Sequence, residues 1–187
     1  MVESESLRER LVGAGVDLLE EVGAAQLGLR AITRAAGVSH GAPRRHFPTH
    51  RALLAAIASR GFVDLIDRFA AVDPGTSPRD RLARMSVAYV EFAGERPEMF
   101  TLMFRHDLLE GSGENLRATT LPLFARFAAL VGEAAQHGSV DPGDRAIALW
   151  TNLHGIAALQ ANRSLRLVAP AADIRALVNR TLELHLA

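Results

Sequence analysis

The stretch LRAITRAAGVSHGAPRRHFPTHRALL, residues 29–54, decides the fold of this chain. Leu29, Ile32 and Ala36 recur at three- and four-residue steps, which predicts a short helix over about 29–36. Gly37-Val38-Ser39 then reads as a tight turn, because glycine supplies positive φ and serine caps the next helix. That second helix is predicted over about 40–46, and Phe47-Pro48 closes it. Two short helices joined through a glycine turn form the pattern of a DNA-binding helix-turn-helix. Such a motif needs a recognition helix that is thin at its N-terminal end, so that backbone can approach the major groove. Ser39-His40-Gly41-Ala42 meets that demand, with bulk only at His40. Arg44, Arg45, His46 and His50 supply side-chain donors around it.

Charge reinforces the pattern on either side of this stretch. Net charge is zero over the 187 residues, yet residues 22–63 hold six arginines (30, 34, 44, 45, 51 and 60) and no carboxylate. His40, His46 and His50 lie in the same block. A surface of that sign attracts phosphate. From pattern and charge alone, two readings stand: a DNA-binding head, or a basic helical hairpin on a protein surface.

Farther out, helical periodicity runs nearly throughout. Upstream, Leu7, Leu11, Ala14, Leu18, Leu19 and Val22 predict a helix over about 5–22, stopped by Gly23. Downstream, helices are predicted over about 50–71, 78–95, 97–110, 115–137, 143–163 and 171–186. Asp73-Pro74-Gly75, Arg96-Pro97, Gly111-Ser112-Gly113, His137-Gly138, Asp141-Pro142-Gly143 and Ala169-Pro170 punctuate them. Strand signals are nearly absent. The expected class is all-α, with about nine helices: an N-terminal three-helix head and a C-terminal helical body. The head is placed at 4–64, with the helix-turn-helix at about 28–47, and the body at 78–187. An apolar fraction of 49% provides for a packed core, and the lack of cysteine removes disulfides and thiol chemistry. No apolar run reaches the ~18 to 20 residues of a membrane span, and no signal peptide is visible, so an intracellular, cytoplasmic protein is expected.

The run from Leu29 to Leu54 closely resembles the N-terminal motif of the TetR family of transcriptional regulators. The combination of Ile32, Ala36, Gly37, Val38, Ser39, His46, Phe47, Leu53 and Leu54 carries the likeness. The resemblance implies that Arg30 faces phosphate or a base, that Ser39 caps the recognition helix, and that His40 and Ala42 reach base edges. It implies a phosphate contact for His46 and a core role for Phe47. Three positions depart from the family pattern. Arg44 stands where tyrosine is usual, His50 where lysine is usual, and Gly28 where serine or threonine caps the second helix. Arg44 can replace a phosphate contact or read guanine bidentately. His50 is a weaker cation than lysine at neutral pH, which would make binding pH-sensitive. Pro43 sits near the first turn, where a missing N–H is tolerated.

In the body, Met85, Tyr89, Phe92, Met99, Phe100, Met103, Phe104, Phe124 and Phe127 form an adaptable apolar set. Read from the stripe alone, they are either a plain core or a pocket lining. The segment Tyr89–Phe104, followed by Trp150 and His154-Gly155, resembles the TetR-family C-terminal domain named for its Trp-His-Gly pattern. That resemblance implies a small, often apolar effector that releases the protein from double-stranded operator DNA. It implies ligand contacts from Met85, Tyr89, Phe92, Phe100, Met103, Phe104, Phe124, Phe127, Trp150 and His154. Trp150 and His154, four apart on one face, line the pocket or anchor the core. The last two helices are apolar on more than one stripe: Ile147, Ala148, Leu149, Leu153, Ile156 and Leu159, then Ile174, Leu177, Val178, Leu182 and Leu184. Such surplus suggests an isologous four-helix interface in a homodimer, as the resemblance also implies.

No nucleophile elbow, phosphate-binding loop, dinucleotide fingerprint or paired-carboxylate arrangement occurs, so no catalytic residues are assigned and an enzyme is not expected. No metal-ligand spacing joins the histidines, and no cofactor is expected. The resemblance implies an operator-binding regulator of the repressor type, the family default; the alternative is a helical ligand-binding protein that has lost its operator.

Overall fold

The computed structural model describes residues 6–39, 42–72, 75–135 and 140–187, and among them every regular element is helical. Helix α1 (Leu7–Val22) begins at a reciprocal cap. The Ser6 hydroxyl accepts the Glu9 N–H at 3.2 Å, and the Glu9 carboxylate accepts the Ser6 N–H at 3.0 Å. These bonds to Ser6 hold the Glu9 carboxyl below the usual carboxylate range. Helix α2 (Leu29–Ala35) starts at Gly28, which offers no side-chain cap. A 3-10 turn (Ala42–Arg45) precedes α3 (His50–Ala70), where the Thr49 hydroxyl accepts the Ala52 N–H at 3.1 Å.

The remaining helices are α4 (Pro78–Glu95), α5 (Pro97–Met103), α6 (His106–Leu109), α7 (Arg117–Ala134), α8 (Pro142–Ala161), α9 (Leu165–Val168) and α10 (Ile174–Leu186). Proline at the first turn and an upstream side-chain cap start both α4 (Ser77) and α8 (Asp141). Asp173 caps α10 in the same way, without proline.

Three elements differ from their sequence-based prediction. The recognition segment, expected over about 40–46, is a 3-10 turn over 42–45 in the described residues. His40 and Gly41 lie outside those residues, as do Asp73, Pro74, His137 and Gly138 from the expected punctuation, and nothing is described of the Ala42 side chain. The helix expected over 97–110 breaks at Phe104–Arg105. Arg105 has non-helical φ and ψ of −81° and 73°, and its guanidinium chelates Asp107 through two bonds of 2.8 Å. Finally, the short α9 (Leu165–Val168) has no counterpart in the prediction; it is set off from α8 at Arg163, which adopts a φ of 62°, while the Ser164 N–H turns back to the Asn162 side chain. Neither break has a glycine or proline to announce it.

The chain divides into two compact units. One takes the N-terminal stretch through Val63 together with Glu98–Leu116, and the other takes Asp64–Pro97 with Arg117–Ala187. The first is organised around Leu11, Leu19, Leu27, Ile32, Phe47, Leu53 and Ile57, all buried. Burial of each such side chain contributes roughly 1.5–3 kcal/mol. Close approaches knit it: Gly15 leaves room for Ile57, and a Cβ on Gly61 would lie 2.6 and 2.7 Å from the sulfurs of Met99 and Met103. In the second unit α4 packs on α7, α8 and α10 over a core that includes Leu82, Val90, Phe92, Val131, Leu149, Leu153, Val178 and Leu182. The buried Arg145 guanidinium donates to the His185 and Ala187 carbonyls at 2.8 and 3.1 Å, closing the end of α10.

Candidate nucleic-acid interface and aromatic site

The turn after α2 is closed by backbone. The Val38 N–H reaches the Thr33 carbonyl at 3.1 Å and the Gly37 N–H reaches the Arg34 carbonyl at 3.2 Å, with Gly37 at a φ of 65°. This six-to-one and five-to-two pair satisfies the last carbonyls of α2 and requires the left-handed residue that glycine provides. Downstream, Pro43 and Phe47 are buried while Arg44, Arg45 and His46 are exposed. The 3-10 turn therefore anchors Pro43 and presents Arg44 and Arg45. Arg30 on α2 and Ser39 in the turn are exposed as well, as are Arg34 and Arg51, which carry the same charge in the same block.

His50 takes a more specific place. Its Nε2 lies 2.6 Å from the Leu27 carbonyl, which can only accept, so this nitrogen carries the proton and donates. The ring thereby ties the start of α3 to the segment entering α2. Two arginines of α1 brace the same region. The Arg10 guanidinium donates to the Ala36 carbonyl at 2.7 Å, at the end of α2. The Arg8 guanidinium sits over the Phe47 ring at 5.3 Å and pairs with Glu114 at 2.6 Å. At the other end of α1, the Glu20 carboxylate accepts the Glu98 and Met99 N–H groups at 3.2 and 3.0 Å, capping α5.

In the second unit the expected ligand contacts form a cluster. The Tyr89 hydroxyl and His154 Nδ1 are 2.8 Å apart. Trp150 stacks on His154 at 5.3 Å, and Phe124 meets Trp150 edge-on at 6.0 Å with Phe127 behind it. Burial pushes the Tyr89 hydroxyl up, against a hydrogen bond from Trp150 that lowers it, and burial lowers the His154 pKa. The imidazole is thus favoured neutral, and it shares one hydrogen bond with the Tyr89 hydroxyl. One turn earlier on α4, Ser86 is 3% exposed and its hydroxyl has no hydrogen-bond partner among the described residues. Phe92 is fully buried beneath the Arg68 guanidinium at 5.1 Å, and Met85 is half-buried.

Phe100, Met103 and Phe104 belong to the first unit. There Phe104 packs on Phe100 at 5.0 Å and edge-on to Phe62 at 6.0 Å. The residues predicted to line one pocket therefore belong to different units.

Leu149, Leu153, Val178 and Leu182 of the last long helices are buried within the unit. Ile147 (51% exposed), Ala148, Leu159 and Leu184 (74% exposed) face out, and Ile156, Ile174 and Leu177 are half-buried. No group of three histidine, cysteine or acidic side chains suited to a metal occurs among the described residues. No helix among them is long and apolar enough to cross a membrane.

Several residues at these sites gave no sequence signal. Arg8 and Glu114 are 106 positions apart, and Arg10, Glu20 and Ser86 belong to no motif. The acid-free block did contain a signal for Arg34 and Arg51.

Two family models match the chain. Residues 11–57 match the bacterial regulatory proteins of the tetR family, and residues 82–184 match the Tetracyclin repressor-like, C-terminal domain. The nucleoid occlusion factor SlmA of Marinobacter nauticus is 26% identical over 141 residues, which span 75% of this chain and 72% of that protein. Among solved structures, a protein of unknown function from Rhodococcus sp. RHA1 is similar at a TM-score of 0.83 and 28% identity, covering 99% of this chain and 96% of that one. BioQ, solved with its double-stranded DNA operator, shares the fold at a TM-score of 0.67 and 16% identity, covering 98% of this chain and 99% of that one.

Proposed function

We propose, for a chain that belongs to the tetR family of bacterial regulatory proteins, that it is an operator-binding repressor released from double-stranded DNA by a small, largely apolar effector. The observation that carries this reading is the exposed set Arg30, Arg44, Arg45 and His46 around a glycine-closed turn, inside 42 residues without a carboxylate. Exposed guanidinium groups on buried anchors suit phosphate and guanine, and no neighbouring acid in the block competes for them. Ser39, His40, Gly41 and Ala42 complete the proposed recognition surface. A partner of this kind implies work in the cytoplasm, with regulation rather than catalysis as the activity.

The head at 4–64 reads the operator in this proposal, and the body at 78–187 binds the effector and the second subunit. Tyr89, Trp150 and His154 give the effector site a polar end within an aromatic wall of Phe124 and Phe127, with Met85 and Phe92 as further lining. The outward face of α8 and α10 pairs with its symmetry mate in a homodimer. Dimerisation has a mechanical reason, because two recognition segments must meet half-sites about 34–36 Å apart. The test is a mobility-shift titration on the DNA upstream of the protein's own and neighbouring genes, with random duplex as competitor. A complex that resists the competitor and weakens in Arg44→Ala supports the reading. A complex no stronger than that with random duplex leaves a ligand-binding protein without an operator.

A further inference from the structure

We infer that Arg8 is a positioning residue for the recognition turn, linking Glu114 to Phe47; its consequence for DNA rests on the operator-binding reading above. The local commitments of α1 isolate this link. Glu9 is held by Ser6 in the helix cap, and Arg10 is held by the Ala36 carbonyl. Arg8 lies between them and goes elsewhere, with its guanidinium 5.3 Å from the Phe47 ring centre and 2.6 Å from the Glu114 carboxylate. Phe47 is the buried residue that closes the segment carrying Arg44, Arg45 and His46. All three linked residues lie in one compact unit.

The chemistry makes the link directional and soft. The carboxylate bonds one guanidinium nitrogen, and the guanidinium carbon lies over the ring face, where the negative quadrupole favours a cation. The Arg8 and Glu114 side chains remain 45% and 31% exposed, so solvent screens the pair and it can be broken at small cost. They border an open groove of about 290 Å³ whose floor includes Val12 and Ala56. Glu114 stands three residues before α7, the helix that carries Phe124 and Phe127. Displacement of Glu114 therefore frees Arg8, and Phe47 loses the charge that steadies its ring.

The test uses the full chain labelled with 4-fluorophenylalanine, its Phe47 resonance assigned with Phe47→Leu. Arg8→Met keeps the apolar stem and removes the charge, while Glu114→Gln removes only the carboxylate charge. The inference expects both to move the Phe47 fluorine resonance, and expects Glu114→Gln to have no further effect once Arg8→Met is present. Operator affinity should fall about threefold to tenfold in each single variant, and no further in the double variant than in Arg8→Met alone. The slope of affinity against salt should stay at its wild-type value, because a positioning residue neutralises no phosphate. Arg8→Lys should restore part of the affinity. An unmoved Phe47 resonance in Glu114→Gln, or additive effects in the double variant, would overturn the inference. A wild-type protein without operator preference defeats the DNA-binding reading separately, and the fluorine arm still decides the link.

Discussion

The Tyr89 hydroxyl stands 2.8 Å from Nδ1 of His154, and burial lowers the pKa of that imidazole. The folded chain therefore binds fewer protons at this position than the unfolded chain, whose histidine titrates near ~6.5. The stabilising contribution is complete above that value, declines as the pH falls below it, and levels off once the folded pKa has been passed. Thermal melts from about pH 7.5 to about pH 5.5 should show this decline, and His154→Gln should make the profile flatter. An identical profile in the variant would remove His154 from the account.

Trp150 is the sole tryptophan of the chain and lies in the same cluster, stacked on His154 and edge-on to Phe124. Its fluorescence therefore reports on the proposed effector site directly. An apolar probe such as 1-decanol should change the emission saturably in wild type and more weakly in Tyr89→Phe. Emission unaffected by a panel of apolar probes would count against this cluster as the effector site.

Gly37 offers a test of the turn. Its φ of 65° is closed to side chains at a cost of about 1–2 kcal/mol, so Gly37→Ala should lower stability by that amount. Denaturant titration measures the loss, and the midpoint should fall without a change in slope. A midpoint equal to wild type would mean that the turn relaxes without its left-handed residue.

Local constraints are legible in this sequence and long-range ones are not. The turn was legible because its constraint is local: a positive φ at Gly37 needs glycine, and two backbone bonds follow from it. The helix starts at Pro78 and Pro142 were legible for the same reason, each pairing a side-chain cap with proline. The break at Phe104–Arg105 was hidden, because no glycine, proline or side-chain cap marks it. The Tyr89–His154 bond spans 65 residues and the His50–Leu27 bond 23, so neither has a spacing to recognise. Stripes on α8 and α10 showed surplus apolar surface but could not divide it. Packing alone separates buried Leu153 and Leu182 from exposed Ile147 and Leu184.

That exposed face carries the next prediction. Ile147→Glu combined with Leu184→Glu places charge where the proposed twofold interface would bury it, while leaving Leu149, Leu153, Val178 and Leu182 in their core. Sedimentation should show a dimer for wild type and a monomer for the double variant, with helical content unchanged. A wild-type monomer, or a variant that remains dimeric, would locate any assembly elsewhere.

The most direct test of the central claim is the salt dependence of binding to the DNA upstream of its own gene, followed by fluorescence anisotropy. The account predicts a specific complex whose affinity falls about a thousandfold or more between about 50 and 200 mM salt. It also predicts a slope shallower by about one for each phosphate-contacting arginine removed, beginning with Arg44→Ala. Affinity equal to that for random duplex, or a slope unmoved by loss of Arg44, Arg45 and His46 together, would contradict it.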